Sequence, residues 1–251
     1  MQEPTPENSG ESGNVLFLIL IAVVLFAALS FAITMSNRSG SDVNTDMVRV
    51  AASQIIQSGI DIEAGVLRLR VSQAVSDADI SFENPMLEDY ENPGCTRDQC
   101  RVFSPTGGQI SYNKPHPEWL NRKFSTEPSF GEWLYTGTSC IPGQGTGNDA
   151  GCAGHPEQLE LLAVLPYLTR EICIELNKKL GVPLQPDGSP PQIAGSAWAG
   201  GGAAKFIGSY GNGEAVIDPG NILFGQPEGC FESNGTPPAG SYHFFRVVVA
   251  R

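Results

Sequence analysis

Residues 15–35 read VLFLILIAVVLFAALSFAITM, about 21 positions without a charge. A helix rises about 1.5 Å per residue, so this run matches the ~30 Å hydrocarbon core of a bilayer. The reading is a transmembrane or assembly helix. A buried core helix is seldom apolar on every side over such a length. A cleaved signal peptide carries a positive n-region and an apolar run of about 7–15 residues. Residues 1–14, MQEPTPENSGESGN, instead hold three Glu and no Lys or Arg, and form a polar leader or tail.

Downstream, residues 36–42 are a short polar break in which Ser41 or Asp42 can cap a new helix. The segment to about residue 80 starts as an amphipathic stalk helix: Val48, Ala51, Ile55, Ile62, Val66 and Leu69 recur at helical spacing, and Gly59 and Gly65 weaken it enough for a kink. Together the two segments predict one long N-terminal helix. Its transmembrane half is 15–35 and its amphipathic half 36–80.

Residues 81–251, about 170 in number, are enough for one soluble head domain with a real core. Recurrent Pro, Gly and Asn predict short antiparallel strands at 101–104, 109–112, 159–164, 215–217 and 242–250. One further helix is expected over 168–180, where Leu168, Ile172, Leu176 and Leu180 share a face, Lys178 and Lys179 close the last turn, and Gly181 stops it. Residues 185–205, rich in Gly, Pro and Ala, read as a mobile loop. The expected fold class is α+β: a long helix with a disulfide-stapled head.

All six cysteines, Cys95, Cys100, Cys140, Cys152, Cys173 and Cys230, lie in the head. An even number so confined favours disulfides, and pairing in chain order is the simplest arrangement because Cys95–Cys100 and Cys140–Cys152 close local loops. Zinc fits poorly: there is no C-x-x-C pair, and His116, His155 and His243 are scattered. Disulfides imply an oxidising compartment, which places the head in a periplasm or at a cell surface. The flanking charges argue otherwise, since Arg38 and Arg49 would hold their side of the span in the cytoplasm.

The net charge of -12 repels phosphate backbones, and no basic run compensates, which excludes nucleic acid as a partner. No G-x-S-x-G, H-E-x-x-H or G-x-x-x-x-G-K-[ST] is present, and no cofactor or catalytic residues are assigned. Trp119, Trp133 and Trp198 read as packing residues rather than a ligand groove.

Residues 9–14, SGESGN, followed by Val15 to Ala22 (VLFLILIA), resemble the N-termini of type IV pilins and type II secretion pseudopilins. The resemblance extends in layout over the first 80 residues. It implies a non-enzymatic structural subunit of a bacterial envelope filament or secretion apparatus, packing through its N-terminal helix against copies of itself or related subunits. It also implies a prepilin peptidase and an inner-membrane assembly platform as partners, with the protein in the inner membrane or in a cell-surface filament. Cleavage would fall between Gly13 and Asn14 or between Gly10 and Glu11. The Glu that the family carries at mature position five is absent: Leu18 or Val15 stands there. The competing expectation is a non-polymerising, single-pass, membrane-anchored periplasmic binding or sensor module, presenting the loops at 140–152 and 185–205. An anchored envelope enzyme is the third.

Overall fold

The computed structural model describes residues 12–36, 40–146, 156–198, 205–211, 215–217, 220 and 222–251; at 12–14, 32–36, 40–43 and 156 only the backbone is described. The chain divides into two compact units, residues 1–47 and 48–251.

Helix α1 spans Ser12–Ser36 and helix α2 spans Gly40–Ser72. These are two separate elements, which corrects the expectation of one long N-terminal helix. Ser36, which ends the first, and Gly40, which opens the second, are weak helix formers. Among the described residues, no helix is long and apolar enough to cross a membrane. The transmembrane half, the single-pass anchor and the inner-membrane or surface-filament placement drawn from it are therefore not supported.

From Val48 onward, α2 lies on a six-stranded sheet. Its strands are β1 (Leu134–Cys140), β2 (Glu160–Leu168), β3 (Gln192–Ile193), β4 (Ala215–Val216), β5 (Glu228–Ser233) and β6 (Ser241–Val249), in the order β3-β5-β6-β2-β1-β4. The inner pairs β5–β6, β6–β2 and β2–β1 are antiparallel, but the edge strands β3 and β4 pair in parallel with β5 and β1. The sheet is thus mixed, a second correction to the expected antiparallel head. Those parallel pairs join segments far apart in sequence, and no local pattern announces them.

Ala51, Ala52, Ile55, Ile62, Val66 and Leu69 of α2 are buried in one cluster with Tyr135, Leu161, Ala163, Leu165 and Phe244 of the sheet. The two helix glycines permit this approach. A Cβ on Gly59 would stand 3.0 Å from Arg246 Cδ and 3.4 Å from the Phe244 ring, and one on Gly65 would stand 3.1 Å from Ile110 Cδ1. Close approach of the helix backbone to these side chains accounts for them. Beside this seam, the Arg246 guanidinium donates to Glu63 of α2 at 2.8 and 2.6 Å and also to Glu228 on β5.

Helix α3 (Arg170–Leu180) packs on the same face. It ends where Gly181 adopts φ +72°, the left-handed cap that glycine accepts without strain. Two bonds fix α3 to β5: the Cys173–Cys230 disulfide, and the Asn177 amide, which donates to Cys230 O at 2.7 Å and accepts from Cys230 N at 2.8 Å. Closing a loop with a separation of 57 residues contributes about 4 kcal/mol in the chain-entropy account.

The opposite face of the sheet is covered by irregular chain, with Val182, Ala197, Trp198, Ile217 and Leu223 against Leu162, Val164, Ile193, Phe231, Phe245 and Val247. The expected loop at 185–205 is thus anchored at Pro190, Pro191, Ile193, Ala197 and Trp198, which are buried, and residues 199–204 lie outside the described residues. The expected strands at 101–104 and 109–112 are not formed, although Arg101 makes an isolated bridge to Ser81.

Because a Cβ at position 59 already crowds Arg246 and Phe244 and a longer side chain would crowd them further, Gly59→Leu is expected to destabilise the head by about 1–3 kcal/mol in chemical denaturation. Gln57→Leu, at an exposed position on the same helix, should stay within about 0.5 kcal/mol of the parent.

Candidate functional site

The most unusual surface of the described chain is α1. Every described side chain from position 15 to 31 is solvent-exposed, including Leu16 at 69 % and Phe26 at 73 %. The helix has no acid in its first turn and no base in its last. Soluble monomers rarely leave more than a few hundred Å² of contiguous apolar surface uncovered, so such a face marks an interaction site. Ala22, Ala27, Ala28 and Ser30 leave room for a second helix to come close. What this surface can do is associate. Its described side chains, 15–31, include no ionisable group.

The candidate processing positions are only partly visible. Gly13 and Asn14 fall in the first turn of α1, whereas Gly10 and Glu11 lie outside the described residues. Disulfides join Cys95 to Cys100 and Cys173 to Cys230. Cys140 is also disulfide-bonded, and Cys152, its expected partner, lies outside the described residues.

The histidines do not converge. His116 is exposed and accepts from Glu118 N at 3.4 Å, and His155 lies outside the described residues. His243 is fully buried against Tyr167, Trp198 and Phe231. Ser241 Oγ donates to Pro238 O at 2.5 Å and sits 2.6 Å from His243 Nε2, while Nδ1 accepts from Tyr167 N at 3.4 Å. That assigns the ring proton to Nε2. Burial holds the imidazole down to about 3, so it remains neutral. Enclosed in this way, Ser241 and His243 are a structural pair. Among the described residues, no cluster of His, Cys, Asp and Glu could hold a metal ion.

Trp133 and Trp198 are buried and Trp119 is half-buried, as packing residues. A cavity of about 40 Å³ opens beside α2, lined by Ser58, Asp61, Phe103, Ile110, Tyr112 and Trp133. The buried Tyr135 hydroxyl at its wall has no hydrogen-bond partner. Ordered water suits a space of that size and polarity better than a metabolite does.

Sequence reading passed over Glu160, the first residue of β2. Its side chain is buried; Oε2 accepts from Ile141 N at 3.0 Å and Oε1 has no partner. Desolvation raises this carboxyl to about 7 against the opposing pull of the Ile141 N–H, its own backbone N–H and the Arg251 charge. The Tyr210 hydroxyl in the same electrostatic neighbourhood is also buried without a partner, and the Arg251 guanidinium lies 3.8 Å from its ring centre. A lone Glu opening an apolar strand gave no sign of its burial.

Against known proteins, no family model matches the chain, and neither the curated proteins nor the solved structures give a significant match. The functional reading rests on the residues themselves.

The fold favours the protonated form of Glu160. Its stabilising contribution is whole below the ordinary value of 4.5 and is lost as the pH rises through about 7. Glu160→Gln keeps an acceptor for Ile141 N and cannot ionise. Its stability advantage over the parent should be close to zero at about pH 4 and reach on the order of 3 kcal/mol at about pH 8. Parallel pH–stability curves for the two proteins would refute this.

Proposed function

We propose that the protein is a non-enzymatic, pilin-like structural subunit, which assembles into a bacterial filament or secretion apparatus by packing α1 against α1 of other copies or related subunits. The observation that carries the reading is the all-round apolar, uncovered surface of α1. Lateral packing of such helices removes that surface from water, at about 25 cal/mol per Å² of apolar area. The similarity of residues 9–22 to pilin N-termini supports the same reading, and extends it to a leader peptidase acting at Gly13–Asn14 or Gly10–Glu11.

The head serves this role by staying rigid. The Cys173–Cys230 disulfide, the Asn177 bonds and the Arg246 bridge resist shear between the helices and the sheet. Its acidic surface keeps neighbouring heads soluble.

Full-length protein released from detergent by dilution should form ordered assemblies visible by electron microscopy. Val24→Glu should abolish them while leaving the far-ultraviolet spectrum and thermal transition of the head unchanged. Assembly by the variant to the parent's extent, or a parent that stays monomeric, would overturn the proposal. Mass spectrometry of the mature chain should find Asn14 or Glu11 as its first residue, and an intact Met1 would remove the processing step.

A further inference from the structure

The outer face of α2 carries a second apolar stripe that the head does not use. Ile60, Ala64, Leu67 and Val71 are exposed, at 39 % for Ile60, 53 % for Leu67 and 74 % for Val71. They recur at intervals of four, three and four, the seam spacing of a coiled coil, while the same helix buries Ile55, Ile62, Val66 and Leu69 against the sheet. One face of α2 belongs to the head, and the other has the pattern of a helix pair.

The charges beside the stripe say what covers it. Asp61 is exposed and bonded only to the Gln57 amide at 2.8 Å, and Arg68 donates to the Gly108 carbonyl. Among the described residues, neither has an oppositely charged partner, whereas Glu63 is taken by Arg246 and Arg70 by Asp77. Two α2 helices in opposite directions, related by a two-fold axis, set Ile60 against Val71 and Ala64 against Leu67, each twice. The same register sets Asp61 of each copy beside Arg68 of the other. Helices in the same direction would leave Asp61 beside Ile56 and offer Arg68 only the Glu63 that Arg246 already holds.

The geometry points to an antiparallel two-fold pair of this chain, formed by the outer faces of α2 and set in register by reciprocal Asp61–Arg68 contacts. Exposed ion pairs add little affinity, so the apolar layers drive the pairing and the charges choose its direction. Subunits that all run the same way cannot form this contact, so the pair is a separate state of the protein and does not depend on the α1 reading.

No described cysteine is free, so introduced thiols provide specific probes. Full-length Ile60→Cys and Val71→Cys proteins, differently tagged, are mixed in mild detergent with a short bis-maleimide. The mixture should give a cross-linked dimer carrying both tags. Each variant alone should cross-link at least tenfold less, because in this register equivalent positions lie about 16 Å apart along the helices. Asp61→Arg should weaken the mixed cross-link severalfold, and Arg68→Asp added to it should restore the link; both positions face solvent or lie half-exposed, and an unchanged thermal transition confirms folding. Equal or stronger cross-linking by Ile60→Cys alone would show a same-direction contact and overturn the proposal. Absence of any cross-link would overturn it as well. Because all the probes sit on α2, the result is separable from the Val24→Glu test of α1.

Discussion

Arg246 sits on β6 with its guanidinium shared between Glu63 of α2 and Glu228 of β5. Only 15 % of its side chain is exposed, so the charge depends on these two carboxylates, and removing either would leave it poorly compensated in a largely desolvated place. Gly59 lies directly over Arg246 and Phe244, and the missing side chain lets the helix backbone descend onto the strand. Helix, sheet and ion bridge thus define each other's positions. The buried stripe of α2 meets the sheet in one register only.

From that seam the rest of the head follows. Strands β2 and β6 lie at the centre and bury residues of both faces in separate clusters, with helices on one side and irregular chain on the other. The segment between α2 and β1 has little regular structure and is held instead by aromatic packing. Phe82 and Tyr135 stack at 4.0 Å, and the Tyr90 hydroxyl accepts from Tyr135 N at 3.0 Å. The disulfides reinforce this arrangement and point to an oxidising environment. Apolar surface that the head cannot absorb remains on α1 and on the outer face of α2. There the functional reading resides.

Local patterns were legible and distant pairings were not. The spacing from Ala51 to Leu69, the Ile172, Leu176 and Leu180 face with Gly181 in α3, and the run of Phe and Val in β6 each declare their element within a few residues, although Leu168, expected to open that helix, ends β2. Strand β1, LYTGTSC, and strand β5, EGCFES, lack the alternation that identifies a strand, because central strands are buried on both faces. Gly- and Pro-rich composition suggested mobility around Trp198, yet Ala197 donates its N–H to Thr236 O and Trp198 packs on His243. The length of the apolar run suggested a membrane span, and no helix among the described residues meets that condition. Glu160 and Asn177 gave no sequence signal at all. Their roles are set by strands and helices that meet only after folding.

The central claim is that α1 is covered, in the working protein, by other α1 helices. A photo-reactive amino acid at position 24, activated in cells that produce the full chain, reads this contact directly when the linked peptides are identified by mass spectrometry. The account predicts links from position 24 to residues 15–35 of another copy or to the apolar N-terminal helix of a related subunit. Links to lipid alone, or to the chain's own head alone, would contradict it.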